Sequence, residues 1–308
     1  MIAIERYTEL FEEEYWNAVK KVIDRKIRRR IMKNCIKYLP KDFFAVENIS
    51  FKALILSPFN KLKEAEIYFI NDVNNKIEKE CFDIKSKNES NINDLYINIY
   101  NSYKKVANSQ KKGISMRVRI VNKTGLTVCP YCNRDYINSR DKDISGAQLD
   151  HFFSISKYPL FAVCLYNIIP VCGNCNRIKN AKLCEFASPF DNNIDWNKEI
   201  TFSYNSRNPN GKKIIIESSN EFINNNIYKM HINEAYQIHE IEVLEFLDKL
   251  ECYNKTQNEE FKEVLGDISL TSEEIKKAIF GEKILIEAMK RKPLSKMFND
   301  LHKEYKIY

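Results

Sequence analysis

The chain has 308 residues, 44% apolar and 30% charged, with only seven glycines, eight prolines and a net charge of +7. That composition supports a folded core and excludes a disordered chain, and so few backbone breakers favour long helices over many short strands. No apolar run reaches the ~20 residues of a membrane span, and the acidic start MIAIERYTELFEEEYW lacks the basic-then-apolar order of a secretory signal, so a cytoplasmic protein without a membrane is expected.

Residues 5–37 carry apolar positions at three- and four-residue steps (Tyr15, Val19, Val22, Ile23, Ile27, Ile31) and are predicted helical, with Pro40 closing the segment. The run Arg25 to Arg30 on that helix reads as a solvated face or a nucleic-acid or partner surface. Helical periodicity returns over 60–80 and 92–109. The composition changes near Lys111, and residues 128–175 hold five cysteines and little helical periodicity until Gly173. After Pro189 the runs EITFSY (199–204) and KKIIIES (212–218), separated by Asn208-Pro-Asn-Gly, predict a hairpin. Residues 232–252 read as a helix with Ile238, Val243, Leu244, Phe246 and Leu247 inward; Thr271-Ser-Glu-Glu274 is a capping box, and a short helix follows Pro293. The expected fold is mainly α with a small α+β insert. Its parts are a helical N-terminal region (1–110), a central segment (111–190), and a hairpin with C-terminal helices (191–308).

Charge is uneven along this order. Residues 95–184 hold 14 Lys/Arg against four acids, a net +10 that leaves the remainder at −3. A basic centre in a near-neutral chain points to a polyanion such as nucleic acid, with a solvated basic face as the alternative.

Nine cysteines, an odd number with no secretion signal, fit a reducing compartment better than a disulfide set. Four form two knuckles, Cys129-Pro-Tyr-Cys132 and Cys172-Gly-Asn-Cys175. Two CxxC turns aim four thiolates at one point, as a structural Zn²⁺ requires; two paired knuckles argue against a redox CxxC. The 39 residues between the pairs exceed a compact zinc ribbon, so a segment is inserted there. Cys35, Cys81, Cys164, Cys184 and Cys252 read as small core residues or inert thiols. His231, His239 and His302 read as ordinary core or surface histidines.

The insert and second knuckle read GAQLDHFFSISKYPLFAVCLYNIIPVCGNCNRIK (146–179). Asp150 offers a hard oxygen ligand suited to Mg²⁺. His151 follows at once, on the opposite face if the segment is a strand. Asn167 precedes Ile168-Ile169, and Asn176 lies directly after the last knuckle cysteine, near the start of a helix. Lys179 follows one turn later on nearly the same face.

This order of residues resembles the HNH nuclease family, whose site is a ββα-metal motif often braced by two CxxC knuckles. The resemblance covers about residues 126–185, a fifth of the chain. It implies that His151 is the general base, that Asp150 and Asn176 hold a catalytic Mg²⁺ or Mn²⁺, and that Asn167 steadies the active-site loop. Many members have His where this chain has Asn176, a variant read as changing metal preference. The longer string is similar to the HNH nucleases of bacterial anti-phage systems, above all the PtuB-type subunits of Septu and their retron-associated relatives. That implies an ABC/SMC-type (PtuA-like) ATPase partner, with a retron reverse transcriptase and its msDNA as a further one. The substrate would be nucleic acid, DNA ahead of RNA. Lys157, Arg177, Lys179 and the run Lys104, Lys105, Lys111, Lys112, Arg117, Arg119, Lys123 would hold its phosphates. Tyr131 and Tyr158 could stack on bases, though packing is the simpler role. The competing readings are a zinc-stabilised nucleic-acid-binding module without catalysis, and a solitary restriction- or homing-type nuclease.

Overall fold

The amphipathic N-terminal stretch folds in this computed structural model as two helices, α1 (Glu9–Val22) and α2 (Arg25–Cys35). Residues 1–35, 51–73, 93–155, 158–180, 185–252, 259–260 and 271–308 are described. The side chain of Thr8 caps α1 by accepting the Phe11 N–H. The single helix expected over 5–37 is broken at Ile23–Asp24. Ile23 turns extended to stay buried, and the Asp24 carboxylate accepts the Lys26 N–H at 2.6 Å, restarting the helix.

Helices α3 (Phe51–Ile55), α4 (Phe59–Val73) and α5 (Asn93–Ala107) follow, so periodicity placed α4 and α5 correctly within the described residues. A tight hairpin, β1 (Gln110–Lys111) and β2 (Ile114–Ser115), turns through Lys112 and Gly113 at φ 54° and 75°. Two left-handed residues match the twist of a two-residue hairpin, and glycine supplies the second without strain. Ser115 then caps α6 (Met116–Lys123).

The central insert forms β3 (Gln148–His151) and β4 (Ile168–Val171), antiparallel, with Asp150 opposite Ile169 and His151 opposite Ile168. Two 3₁₀ turns, Pro159–Val163 and Leu165–Asn167, fold the connection. Helix α7 (Gly173–Lys179) leaves β4 directly, capped by Cys172. After α8 (Trp196–Glu199), the predicted second hairpin is present as β5 (Ile200–Tyr204) and β6 (Ile214–Ser218), its turn closed by Gly211 N–H on the Asn208 carbonyl at 3.1 Å. The chain continues as α9 (Glu221–Lys229), α10 (Ile232–Tyr236), α11 (Glu240–Cys252), α12 (Ser272–Phe280), α13 (Ile286–Met289) and α14 (Ser295–Glu304). The capping box at Thr271 and Glu274 is formed on both sides.

A second expectation is corrected here. The helix over 232–252 is interrupted by a 3₁₀ turn at Gln237–His239, which changes the phase of its apolar stripe. Val243 and Phe246 face inward as expected, while Ile238 and Leu244 are 65% and 43% exposed.

The fold is mainly helical with three two-stranded sheets among the described residues. One apolar core runs from Met1 to Ile307, so the three sequence regions share it. Tyr15 of α1 donates to the Val163 carbonyl at 3.0 Å, and Tyr236 of α10 donates to the Cys132 carbonyl at 2.7 Å. The N-terminal and C-terminal regions thereby both hold the central segment.

Candidate functional site

Cys129, Cys132, Cys172 and Cys175 converge, with their sulfurs all within 4.8 Å of one another. All four are buried and none is in a disulfide. A tetrahedral zinc with ~2.3 Å Zn–S bonds sets sulfurs ~3.8 Å apart, so the donor set fits this ion. Crowding splits the thiols: burial pushes Cys129 well up, while hydrogen bonds from the other three pull Cys132 well below the ordinary range. A cluster that favours at least one thiolate out of water is one that a soft cation would relieve.

The first knuckle is held from outside. Asn133 sits at φ 53°, a left-handed turn that asparagine tolerates, and it is fully buried. Its side chain donates to the Met289 carbonyl and accepts the Lys296 N–H, both at 3.0 Å, and its carbonyl accepts the Leu294 N–H at 2.7 Å. The second knuckle opens α7, with the Cys172 sulfur accepting the Cys175 N–H. Zinc would thus join the helix start to a loop braced by α13 and α14.

Strand alternation sends Asp150 and His151 to opposite faces. Asp150 is 5% exposed. Tyr131 donates to its Oδ2 at 2.9 Å, and the Lys179 ammonium lies 3.1 Å from Oδ1 and 3.0 Å from Oδ2. His151 faces the 3₁₀ turn: its Nε2 is 3.0 Å from the Ala162 carbonyl, and the Tyr103 ring meets it edge-on at 4.3 Å. A carbonyl only accepts, so Nε2 carries the hydrogen of the neutral ring and Nδ1 keeps the lone pair. No described residue hydrogen-bonds Nδ1. Burial lowers the imidazole pKa to about 4, against the upward pull of Ala162 and Asp150. His151 is therefore a neutral base near pH 7.

Asn167 is fully buried and ties the loop between β3 and β4. Its Oδ1 accepts the Phe153 N–H at 2.7 Å, and its Nδ2 donates to the carbonyls of Phe153 at 3.2 Å and Phe161 at 3.0 Å. Phe161 precedes Ala162, so Asn167 holds the segment that holds the imidazole. Asn176 is half-buried and donates to Gln148 Oε1 at 2.7 Å. Gln148 shares a strand face with Asp150, yet Asn176 makes no contact with that carboxylate among the described hydrogen bonds.

One expectation from the sequence is corrected by this geometry, and a second meets a difficulty. Lys179 is no phosphate contact: it is 2% exposed, and its ammonium is spent on Asp150 and the carbonyls of His151 and Phe152 at 3.1 and 3.2 Å. A hard divalent cation collects about six oxygen ligands. Asp150 already carries an ammonium and a phenol, and Asn176 is turned to Gln148 instead. In this arrangement, Asp150 and Asn176 do not fit a shared Mg²⁺ or Mn²⁺.

Of the other expected contacts, Arg177 is exposed and donates to Asn174 Oδ1 at 3.1 Å, and Lys157 lies outside the described residues. The basic run divides: Lys104, Lys105, Lys112 and Lys123 are exposed, Lys111 pairs with Glu14 at 2.8 Å, Arg119 also meets Glu14, and Arg117 donates to Asn108. Tyr131 and Tyr158 are buried, the latter donating to Glu66 at 2.6 Å, so neither is available to stack on a base. His239 is linked to Arg134 and Glu242, both at 2.9 Å. Cys164 is buried and Cys252 exposed; the side chains of Cys35, Cys81 and Cys184 lie outside those described. Sequence reasoning missed Tyr103 and the Ala162 carbonyl. Tyr103 lies 48 residues before His151 in a helix, with no local signal.

No protein-family model matches the chain, and neither a curated protein nor a solved structure shows significant similarity to it. No helix among the described residues is long and apolar enough to cross a membrane.

Proposed function

We propose that this chain is an HNH-type nuclease that hydrolyses phosphodiester bonds of nucleic acid, with His151 as general base. One observation carries the reading: the Ala162 carbonyl holds the imidazole through Nε2, so that Nδ1, the basic nitrogen, is left without a described partner. A base so placed takes a proton from water as the water oxygen bonds to phosphorus, while the bond to the leaving ester oxygen breaks and that oxygen takes a proton from solvent. The cysteine cluster supports it by fixing α7 beside β3. The basic centre supports it by offering exposed Lys104, Lys105, Lys112, Lys123 and Arg177 to a polyanion. The Mg²⁺ or Mn²⁺ implied by the resemblance would need donors other than the occupied Asp150 carboxylate, and the chemistry assigned here is that of His151 alone.

The resemblance further supports a role as nuclease effector of a bacterial, cytoplasmic anti-phage complex. The expected partners are an ABC/SMC-type ATPase and, in the retron-associated form, a reverse transcriptase with its msDNA. A second reading, a zinc-stabilised nucleic-acid-binding module, is favoured by the sealed Asp150–Lys179 pair. Purified wild type and His151→Ala, incubated with plasmid, single-stranded DNA and tRNA at fixed salt, separate the two. The nuclease reading expects cleavage by wild type and at least a ~100-fold loss in the variant. Each substrate is run with Mg²⁺, with Mn²⁺ and with EDTA. Equal cleavage by both proteins refutes the role of His151. Binding without cleavage, also when the ATPase is supplied, establishes the binding module.

A further inference from the structure

The ammonium of Lys179 has three hydrogens, and the structure gives it three groups to satisfy: the Asp150 carboxylate, the His151 carbonyl and the Phe152 carbonyl. The Phe152 and Phe186 rings close over it at 5.6 and 5.9 Å. Lys179 ends α7, whose cap is Cys172 and whose first turn carries Cys175. The helix therefore delivers its last side chain to the backbone on the C-terminal side of His151. From the other flank Tyr131, inside the first knuckle, reaches the same carboxylate. Both knuckles thus converge on Asp150, and the carbonyls that Lys179 grips belong to the residue that carries the imidazole and to its neighbour.

We propose that Asp150 and Lys179 form a buried clamp that positions His151, and that Asp150 serves as the counterion of this clamp and not as the ligand of a catalytic cation. The importance of the clamp for catalysis rests on the nuclease reading; its structural role does not. The clamp passes the placement of the cysteine cluster through α7 to the carbonyls of His151 and Phe152, and so sets the imidazole against Ala162. An ammonium at 3.0 Å neutralises the carboxylate, and with the Tyr131 phenol it engages both oxygens.

The test uses the full chain, zinc-loaded, as Asp150→Asn, Lys179→Met and the double variant. Each single change leaves a buried charge without its partner and lowers the melting temperature by roughly 6 °C or more. The double variant, which removes both charges, recovers most of that loss and supplies a folded sample. In its long-range ¹H–¹⁵N spectrum, the His151 ring nitrogens move from the single Nε2-protonated form of wild type towards tautomer averaging. Calorimetric titration with MnCl₂ alone gives the same isotherm for wild type and the double variant, within twofold. A folded double variant with the wild-type imidazole signature overturns the positioning role. Loss of a wild-type Mn²⁺ site in Asp150→Asn, with the melting temperature unchanged, overturns the counterion role and restores Asp150 as a ligand. None of these readouts needs cleavage, so failure of the nuclease reading is seen separately, in the His151→Ala assay.

Discussion

Replacing Asn167 by alanine removes three hydrogen bonds at a site with no solvent access. The Phe153 N–H and the Phe153 carbonyl lose their side-chain partner and, at this depth, gain no water in exchange, while the Phe161 carbonyl keeps the Cys164 N–H at 3.1 Å. A buried backbone group left unpaired costs roughly 1–3 kcal/mol, and the small cavity left by the amide adds to it. Partial relaxation of the loop offsets some of this, so the expected loss is about 3–5 kcal/mol. Asn176→Ala is the matched control: it removes one hydrogen bond at a half-buried position and should cost under ~1 kcal/mol. Urea unfolding of zinc-saturated protein, followed by circular dichroism, measures both. At a slope of ~3 kcal/mol/M the Asn167→Ala midpoint falls by roughly 1–2 M, with little change in slope. A loss under ~1 kcal/mol for Asn167→Ala, or one equal to that of the control, refutes the argument that this amide holds the loop.

Further expectations follow from other parts of the molecule. Metal analysis should find one zinc per chain, and Cys172→Ser, which also alters the cap of α7, should abolish it and expose the amides of α7 to hydrogen exchange. Stability should fall in acid through His151. Its folded pKa of about 4 lies below the unfolded value of ~6.5, so below that value the unfolded chain binds a proton that the folded chain refuses. Wild type should lose on the order of 2 kcal/mol more than His151→Gln between pH 7.5 and 5, and parallel pH profiles would count against the buried neutral ring. Lys296→Met should destabilise by about 3–5 kcal/mol in the same urea assay. It strips the buried Asp300, which also accepts the Phe202 N–H, of an ammonium 2.6 Å away.

The central insert was legible because its information is local. Two CxxC turns, the Asp150-His151 pair and the capped helix after Cys172 are all written within about fifty residues, and the structure assembles them in that order. Periodicity likewise located α4, α5 and the second hairpin. It failed where a buried side chain overrode it, at Ile23 between α1 and α2, and where a 3₁₀ turn at Gln237–His239 shifted the stripe of α11. The reading of Lys179 failed for a subtler reason. Residues three apart on a helix differ by ~60° in direction. That is enough for Asn176 to stay at the rim while Lys179 turns inside. The partners of Asp150 and His151 were illegible because Tyr131, Tyr103 and the Ala162 carbonyl arrive through tertiary packing, and no spacing in the sequence announces them.

The brace on the first knuckle has a bearing on how the molecule is made. All four thiols lie between residues 129 and 175, but Ser295 and Lys296, which close on Asn133, follow it by 162 and 163 residues. During synthesis the ion can be captured long before the residues that lock its loop exist. Metal capture therefore need not wait for the clasp. A chain halted before α14 would lack the clasp on this centre, and the loop that carries Asn133 would reach its final form only once α13 and α14 have been made.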